Sequence, residues 1–459
     1  MNKNELKSIL LEATSTGADF AELFFEDTKS TSLRVIVDKV DELTSSHSYG
    51  CALRILKGVE ESYGYTNDIT YEGLMKLAKS LKESFNSDKL ISDFEFKNDA
   101  VEKHTTFASL EFDTKKAIDT LIEANTTMAS YDPRIIQALS LFTSRCQKVT
   151  IVNTNGVLKD DIRFNQRVAL NAVARDEKSM QTGSAQYGGN FDFETIMKHD
   201  FVADAKEAAE SAIIMLSADD MVGGVYDVVI HNAFGGVIFH EACGHSLEAT
   251  SVAKNFSVFS GKLGEKIAAD CVTAIDDGTI PNEWGSENID DEGNPQQKRV
   301  LIENGVLKSY MVDMRNGRRM NTEATGSSRR QSYRYSPTSR MSNTYIANGE
   351  STFEEIIAAT KSGLFAKKMS GGSVNPATGE YNFSVQEGYL IEDGKLTKPV
   401  RGATLIGNGK DTLLKIDMVA NNCSFGYGMC GSASGSIPTC VGQPTIRVKA
   451  MTVGGKGGN

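Results

Sequence analysis

The sequence lacks the features that mark several classes of protein. It has seven cysteines, an odd number scattered over 459 residues, and no two are spaced as C-x-x-C. This pattern argues against a disulfide framework and excludes a zinc ribbon. No apolar run approaches the length of a membrane span, and the N-terminus has no signal-peptide core. We therefore expect a cytoplasmic protein that does not associate with membranes.

An excess of positive charge is also missing. The formal net charge is −11, so we expect no extended nucleic-acid surface. Hydrophobic residues make up 40% of the chain and charged residues 24%, which is ordinary for a globular protein. The length suggests two or three domains at roughly 150–200 residues each.

The hydrophobic pattern predicts an α+β protein whose first domain spans residues 1–220. An N-terminal helix precedes a β-meander of four short strands between residues 21 and 65. Helical periodicity follows at 71–85, 114–128 and 194–216, and Asn155-Gly156 predicts a hairpin between them. Asp219-Asp220 and Gly223-Gly224 then indicate a boundary.

The second domain, residues 221–459, is predicted to be rich in strands. Asn304-Gly305 and Asp393-Gly394 predict two further hairpins. Ser351 and Glu354 have the spacing of a capping box, which predicts a helix that ends near Ser362. Long segments rich in Gly, Pro and Asp are expected to be loops, at 276–298, 369–381 and 421–439.

The most informative stretch is residues 239–248, which contains two of the six histidines of the chain. His240 is followed directly by Glu241, and His245 comes five residues after His240. Two imidazoles and a carboxylate on one helix are the groups that a water-activating zinc site needs. The alternative is an ordinary amphipathic helix whose two histidines lie in the core or in solvent.

The spacing of the histidines differs from the familiar H-E-x-x-H. Residues five apart on an ideal helix differ by ~140° around its axis, so the two imidazoles would not face one ion. A π-type turn, or a break at Gly244, would bring them to the same side. The spacing therefore predicts a distorted turn around Cys243-Gly244, with Cys243 itself serving as a packing residue.

A catalytic zinc ion normally has three protein ligands, so a third must come from elsewhere in the chain. His231 lies too close in sequence to reach the same ion. Cys423, Cys430 and Cys440 all lie in the Gly/Ser-rich segment after residue 420, where a loop would bring a thiolate to the metal. Spacing does not choose among these three.

His240-Glu241-Ala242-Cys243-Gly244-His245 resembles the H-E-x-x-x-H signature of the TldD/PmbA metalloprotease family. The resemblance extends over essentially the whole chain and is strongest after residue 225. Further segments that match the family are residues 276–281, 290–293, 375–380, 399–409, 429–431 and 441–445.

This resemblance implies a Zn²⁺ site formed by His240, His245 and Cys430, with Glu241 as the general base that activates a zinc-bound water. The chain keeps all four residues, so it is similar to the active TldD-type subunits. The implied substrates are small or unfolded peptides. The implied partner is a TldE/PmbA-like paralogue in a heterodimer, or a second copy in a homodimer.

Two other functions remain open from the sequence. The chain is either an enzyme of this kind, a non-catalytic zinc-binding partner or scaffold subunit of a heteromeric protease, or a zinc amidase that acts on non-peptide bonds. Two roles are equally open. Glu248 either orients a histidine ring or is an exposed carboxylate, and the arginines of 315–334 either bind peptide or, as we expect, pair with the acidic segment 276–292.

Overall fold

The computed structural model describes residues 1–97, 99–375 and 378–456. Pro376 and Ala377, part of one segment that resembles the family, lie outside the described residues. No helix in these ranges has both the length and the mean hydropathy that a membrane span requires.

The first part of the chain forms one antiparallel sheet with helices packed against it. The helices are α1 (Lys3–Ala13), α2 (Tyr71–Lys82), α3 (Thr114–Ser130), α4 (Phe193–Ile196) and α5 (Phe201–Ser217), and the strands are β1 (Phe20–Ile36), β2 (Lys39–Lys57), β3 (Glu60–Thr66), β4 (Ile135–Asn153), β5 (Leu158–Arg175) and β6 (Met180–Asn190). In the sheet the strands lie in the order β3-β2-β1-β4-β5-β6.

Several predictions for this part are confirmed and two are wrong. The hairpin at Asn155-Gly156 joins β4 to β5, as predicted. Residues 21–25 and 32–37 are not separate strands, because the polar stretch between them continues to pair with β2 inside the single strand β1. The helix predicted over 194–216 is divided, because the Asp200 side chain accepts a hydrogen bond from the Ala203 N–H and starts α5.

The second part contains more strands and shorter helices. Its helices are α6 (Val237–Ala242), α7 (Ala249–Val252), α8 (Met314–Met320), α9 (Phe353–Ala358) and α10 (Gly409–Leu414). Its strands are β7 (Asp219–Asp220), β8 (Gly224–Ile230), β9 (Ala274–Asp277), β10 (Lys298–Glu303), β11 (Val306–Leu307), β12 (Ser328–Arg329), β13 (Thr338–Ser339), β14 (Asn343–Ile346), β15 (Ser362–Val374), β16 (Glu380–Glu392), β17 (Lys395–Arg401), β18 (Thr404–Asn408), β19 (Ile416–Val419), β20 (Ser424–Ser432), β21 (Gly435–Gln443) and β22 (Ile446–Gly454).

Two larger sheets organise this part around α6. One runs β11-β10-β9-β14-β21-β20, and the other runs β15-β8-β22-β18-β16-β17-β7. Because β15 also pairs with β16, the strands β15, β8, β22, β18 and β16 close a ring. The short helix α6 packs against strands of both sheets, and Ile238, Phe239 and Ala242 are buried in their shared core.

The fold is α+β, with the strand-rich second part that the sequence predicts, and the hairpins at Asn304-Gly305 and Asp393-Gly394 are confirmed. The capping box is one residue later than predicted, with Thr352 as the cap and Glu355 as its partner. The helix α9 ends at Ala358, before the predicted end near Ser362. The predicted loops at 369–381 and 421–439 are largely strands. Because glycine, unlike proline, keeps its backbone N–H group, these glycine-rich segments can still form strands. In the structure β15 pairs with β16, and β20 pairs with β21.

Candidate metal centre

The two histidines of α6 and of the turn after it face the same point because the helix breaks between them. The helix ends at Ala242, and Cys243 leaves helical geometry with φ −130° and ψ −49°. A short three-ten turn then begins at Gly244. The ring centroids of His240 and His245 lie 4.9 Å apart. The predicted distortion at Cys243-Gly244 is confirmed, as a break and not as a π-type turn.

Close packing accompanies this break. A Cβ atom on Gly244 would lie 2.3 Å from the Sδ atom of the buried Met341, so the turn lies directly against that side chain. Cys243 is fully buried among apolar side chains and not beside the imidazoles, which agrees with its predicted packing role. The five-residue spacing is thus accommodated by local backbone geometry.

Of the three cysteines left open by the sequence, the structure brings Cys430 to the histidines. Its Sγ atom lies 3.3 Å from Nε2 of His240 and 3.3 Å from Nε2 of His245. The strand β20 carries it, where a loop was expected. Cys423 Sγ instead contacts the carbonyl oxygen of Ile346, and Cys440 Sγ that of Gly426. His231 is turned away and contacts the Thr445 hydroxyl through Nδ1.

Glu241 lies beside this group of three donor atoms. One of its carboxylate oxygens is 3.7 Å from Nε2 of His245, and its side chain is 23% exposed. It is therefore the most exposed of the four predicted site residues.

Glu248 orients one of the imidazoles. Its Oε2 atom lies 3.1 Å from Nδ1 of His245, and the residue is buried. When a carboxylate accepts a hydrogen bond from Nδ1–H, the other ring nitrogen, Nε2, is left free to bind a metal. In His245 this Nε2 atom faces Cys430. Of the two readings left open by the sequence, the geometry therefore favours the orienting role over an exposed carboxylate.

The electrostatics favour the thiolate that a metal binds. Burial raises the pKa of Cys430, but the charge of His240 and the hydrogen bonds with both imidazoles outweigh it and lower the pKa to about 3. Burial lowers the pKa of His245, yet the charge of Glu248 and the contact with Cys430 raise it well above its ordinary value.

The residues present fit a zinc ion. Their donor atoms, two imidazole nitrogens and one sulfur, all lie within 4.8 Å of one another. Tetrahedral zinc with Zn–N of about 2.0 Å and Zn–S of about 2.3 Å separates such atoms by about 3.5 Å, close to the 3.3 Å of the two N···S distances. Small outward shifts of the side chains would therefore complete the ligand geometry.

The arginines of 315–334 are held mainly by acidic side chains. Arg329 pairs with Glu287, and Arg330 pairs with Glu22 and donates to the Asp291 carbonyl. The expected pairing with the acidic segment is confirmed for Arg329, whereas the guanidinium of Arg330 contacts that segment through the main chain of Asp291. Arg315 and Arg318 instead reach acidic residues of the first part of the chain, at Glu61 and Asp19.

Sequence reasoning missed Arg340, which supports the site from below. Its Nη2 atom donates to the Cys430 carbonyl at 2.5 Å, and its Nη1 atom donates to the Ser434 hydroxyl. The side chain is fully buried. It lies outside the basic cluster and in no motif, so nothing in the sequence marks it.

Comparison with known proteins gives matches along nearly the whole chain. Domain models of the PmbA/TldA metallopeptidases match residues 21–84 (domain 1), 107–216 (central domain) and 223–455 (C-terminal domain). A protein from Haemophilus influenzae named "Metalloprotease TldD homolog" is 37% identical over 95% of this chain and 93% of its own.

Solved structures with the same fold are more distant in sequence. One from Thermotoga maritima, described as a candidate modulator of a DNA gyrase, has a TM-score of 0.80 at 23% identity and covers 99% of this chain and 100% of its own. TldE from Thermococcus kodakarensis has a TM-score of 0.79 at 17% identity, over 98% of this chain and 99% of that one.

Proposed function

Because the chain belongs to the PmbA/TldD metallopeptidase family, we propose that it is a zinc-dependent peptidase that hydrolyses peptide bonds in small or unfolded peptides. The observation that carries the proposal is the meeting of His240 Nε2, His245 Nε2 and Cys430 Sγ at one point. Imidazole nitrogen and thiolate sulfur are both ligands that zinc binds, and three protein ligands leave a fourth position open for the reaction.

Each residue of the site has a role in this proposal. When bound, zinc supplies Lewis acidity, which polarises a carbonyl and makes a water more acidic. Glu241, the partly exposed carboxylate, takes the proton of the attacking water and passes it to the leaving amine. Glu248 keeps the His245 ring in orientation, and Arg340 holds the backbone of Cys430 in place.

The decisive experiment is digestion of a defined peptide mixture, followed by mass spectrometry, with and without chelator. We expect chelator-sensitive cleavage by the wild-type chain and a loss of about 10²–10⁴-fold in Glu241→Gln, which keeps the metal ligands. Glu323→Gln, which changes an exposed carboxylate of the second part, is the matched control.

Other outcomes would decide against this proposal. Cleavage by a metal-loaded Glu241→Gln protein would reject the general-base role. A wild-type protein that binds zinc stoichiometrically and cleaves none of the peptides would be a scaffold subunit. Cleavage of non-peptide amides alone would make it an amidase.

We further propose that the chain pairs with a TldE/PmbA-like paralogue or with itself, and that it acts in the cytoplasm. The shared fold with TldE supports the first point. Seven free cysteines support the second, because a reducing compartment keeps thiols free. Light scattering after size-exclusion chromatography, alone and with the co-expressed paralogue, tests the pairing.

We also keep the division into domains 1–220 and 221–459 as a proposal. Its support is that the first sheet is built by residues 20–190, whereas β8, the first strand after residue 220, pairs with β15 and β22 of the second part. Limited proteolysis with cleavage confined to residues near 220 would agree with it, and a first cut inside either part would not.

A further inference from the structure

A cavity of about 320 Å³ lies between one face of the first sheet and the β20–β21 hairpin. Seven serine and threonine residues of β1, β2 and β4 contribute to its wall. Their neighbours in the wall are Arg145, Asn165, Arg167, Trp284, Met429 and Pro438. Although the chain has a net charge of −11, the described residues that line this cavity include two arginines and no acid.

Arg167 differs from its neighbour Arg145 in having no hydrogen-bond or ion-pair partner for its guanidinium among the described residues. Arg145 donates to the Gln147 side chain and to the Gln331 carbonyl. The Nε atom of Arg167 is buried, and within the described part of the chain it has no hydrogen-bond partner. The guanidinium lies over the ring of Trp284, 5.5 Å from its centroid. Burial lowers its pKa.

The sheet leaves room for this side chain. Gly188 is the residue opposite Arg167 on β6, and a Cβ atom there would lie 3.2 Å from Cγ of Arg167. Cross-strand neighbours on the other side are small hydroxyl residues, with Thr143 paired to Arg167 and Ser32 paired to Thr143. The guanidinium therefore lies at the end of a polar row that opens into the cavity.

A half-buried cation without a partner costs free energy, because the charge loses water and gains no counter-charge. A carboxylate ligand would remove that cost. The planar guanidinium matches a carboxylate through two parallel hydrogen bonds, and nearby hydroxyls can donate to the same oxygens.

The cavity and the candidate metal centre lie on the two faces of β20, because Met429 and Cys430 are successive residues of this strand and their side chains point to opposite sides. Met429 of the cavity wall directly precedes Cys430, and it pairs across the hairpin with Pro438. The Trp284 Nε1 atom donates to the Gly428 carbonyl of the same strand at 2.7 Å. Since β20 is the last strand of its sheet in the described part of the chain, a peptide extended along its outer edge would direct alternate side chains to the cavity face and to the metal face.

We propose that Arg167 and this cavity bind a carboxylate of the substrate peptide, either its C-terminus or an Asp or Glu side chain. The inference rests on the proposed peptidase function, since it names the chemistry of the substrate. Arg167 is thereby a specificity-determining residue, separate from the residues that hold the metal or move protons.

Binding can be measured apart from hydrolysis, because Trp284 is the single tryptophan of the chain and lies against Arg167. The full-length protein, with zinc and with chelator, is titrated with tetra-alanine as the free acid, tetra-alanine amide, and an amidated peptide with an internal Glu. Calorimetry gives affinities, and tryptophan fluorescence reports the cavity. Arg175→Gln, an exposed arginine at the end of β5, is the control for Arg167→Gln.

We expect a carboxylate peptide to change the fluorescence and to bind about 10–100-fold less tightly to Arg167→Gln, while Arg175→Gln binds as the wild type does. A preference for the free acid assigns the C-terminus, and a preference for the Glu amide assigns a side chain. The melting temperature of Arg167→Gln should not fall, because no hydrogen bond or ion pair is lost and the cost of the half-buried charge offsets the lost contact with Trp284. Equal affinities of all three peptides for the wild type, or unchanged binding by Arg167→Gln, would overturn the proposal.

These results are independent of the peptidase test. Arg167-dependent binding without any cleavage would leave the carboxylate site standing and reject the proposed function. Cleavage that does not depend on Arg167 or on a carboxylate would do the reverse.

Discussion

Two charged regions of this molecule are built on opposite plans. At the candidate metal centre, three donor atoms from two segments point at one another, and the adjacent carboxylate is partly exposed. In the region between the first sheet and the second part, buried arginines and carboxylates are already matched. This buried ion network consists of the pairs Arg54–Glu292, Arg163–Asp291 and Arg330–Glu22, at 2.5, 2.8 and 2.7 Å.

The difference shows which groups are available for chemistry. In the network, each of these pairs joins a residue of the first part to one of the second, and the side chains are almost fully buried. Buried pairs cost desolvation to form and are destabilising to break, so they hold the two parts together. At the metal centre the three donor atoms instead lie within 4.8 Å of one another. Changes at one region should therefore leave the other intact.

The largest effect is expected from Cys430→Ser. A serine hydroxyl stays protonated at neutral pH and is a poor zinc ligand, so the protein should lose most of its bound zinc and its peptidase activity. Elemental analysis and peptide cleavage measure both losses. Because the substitution leaves the buried ion network untouched, we expect the unfolding transition of the metal-free variant to match that of the metal-free wild-type protein. A full zinc complement in the variant would reject Cys430 as a ligand.

Arg54→Gln should have the opposite profile. It leaves Glu292 buried without its cation, which costs about 3–5 kcal/mol of unfolding free energy. Urea denaturation measures this loss, and zinc content at low temperature should be unchanged. Arg134→Gln is the control, because its pair with Asp132 lies at the surface, where solvent screens the interaction. Equal stabilities of the two variants would contradict the role of the network.

The sequence predicts the first region far better than the second. A rare pattern of histidines and a glutamate lies within six residues, so the site and even the break at Gly244 follow from local geometry. Choosing Cys430 over Cys423 and Cys440 required family resemblance, because the pairing of β20 with β21 decides which thiol faces inward. Arg54 and Glu292 are 238 residues apart, and only the tertiary fold brings them together.

Glu248 is a buried carboxylate that belongs to the metal centre and not to the ion network. Glu248→Gln keeps the shape of the side chain but weakens its hold on Nδ1 of His245. We expect zinc affinity to fall about 10–100-fold, measured by competition with a coloured chelator. The exposed Glu323→Gln serves as the control. An unchanged affinity would assign Glu248 a purely structural role.

The smallest effect concerns Asp290, a fully buried carboxyl beside the network that forms no ion pair with an arginine among the described residues. It accepts hydrogen bonds from the backbone N–H groups of Glu292, Asn294 and Ser328. Burial, and then the charge of Glu292, raises the pKa of Asp290 above its ordinary value. At a pH between the pKa of the unfolded chain and the raised pKa of the folded state, the folded protein therefore keeps a proton on Asp290 that the unfolded chain has released.

This proton makes stability depend on pH in a direction opposite to that of a paired carboxylate. The contribution is fully present below the pKa of the unfolded chain and is lost as the pH rises through the folded pKa. Asp290→Asn keeps one oxygen acceptor and cannot ionise. From pH 5 to 8, its unfolding free energy should fall less steeply than that of the wild type, by at most about 1.4 kcal/mol per pH unit. Urea denaturation at each pH gives the two slopes, and parallel slopes would show that Asp290 is ionised within the fold, as the paired carboxylates are.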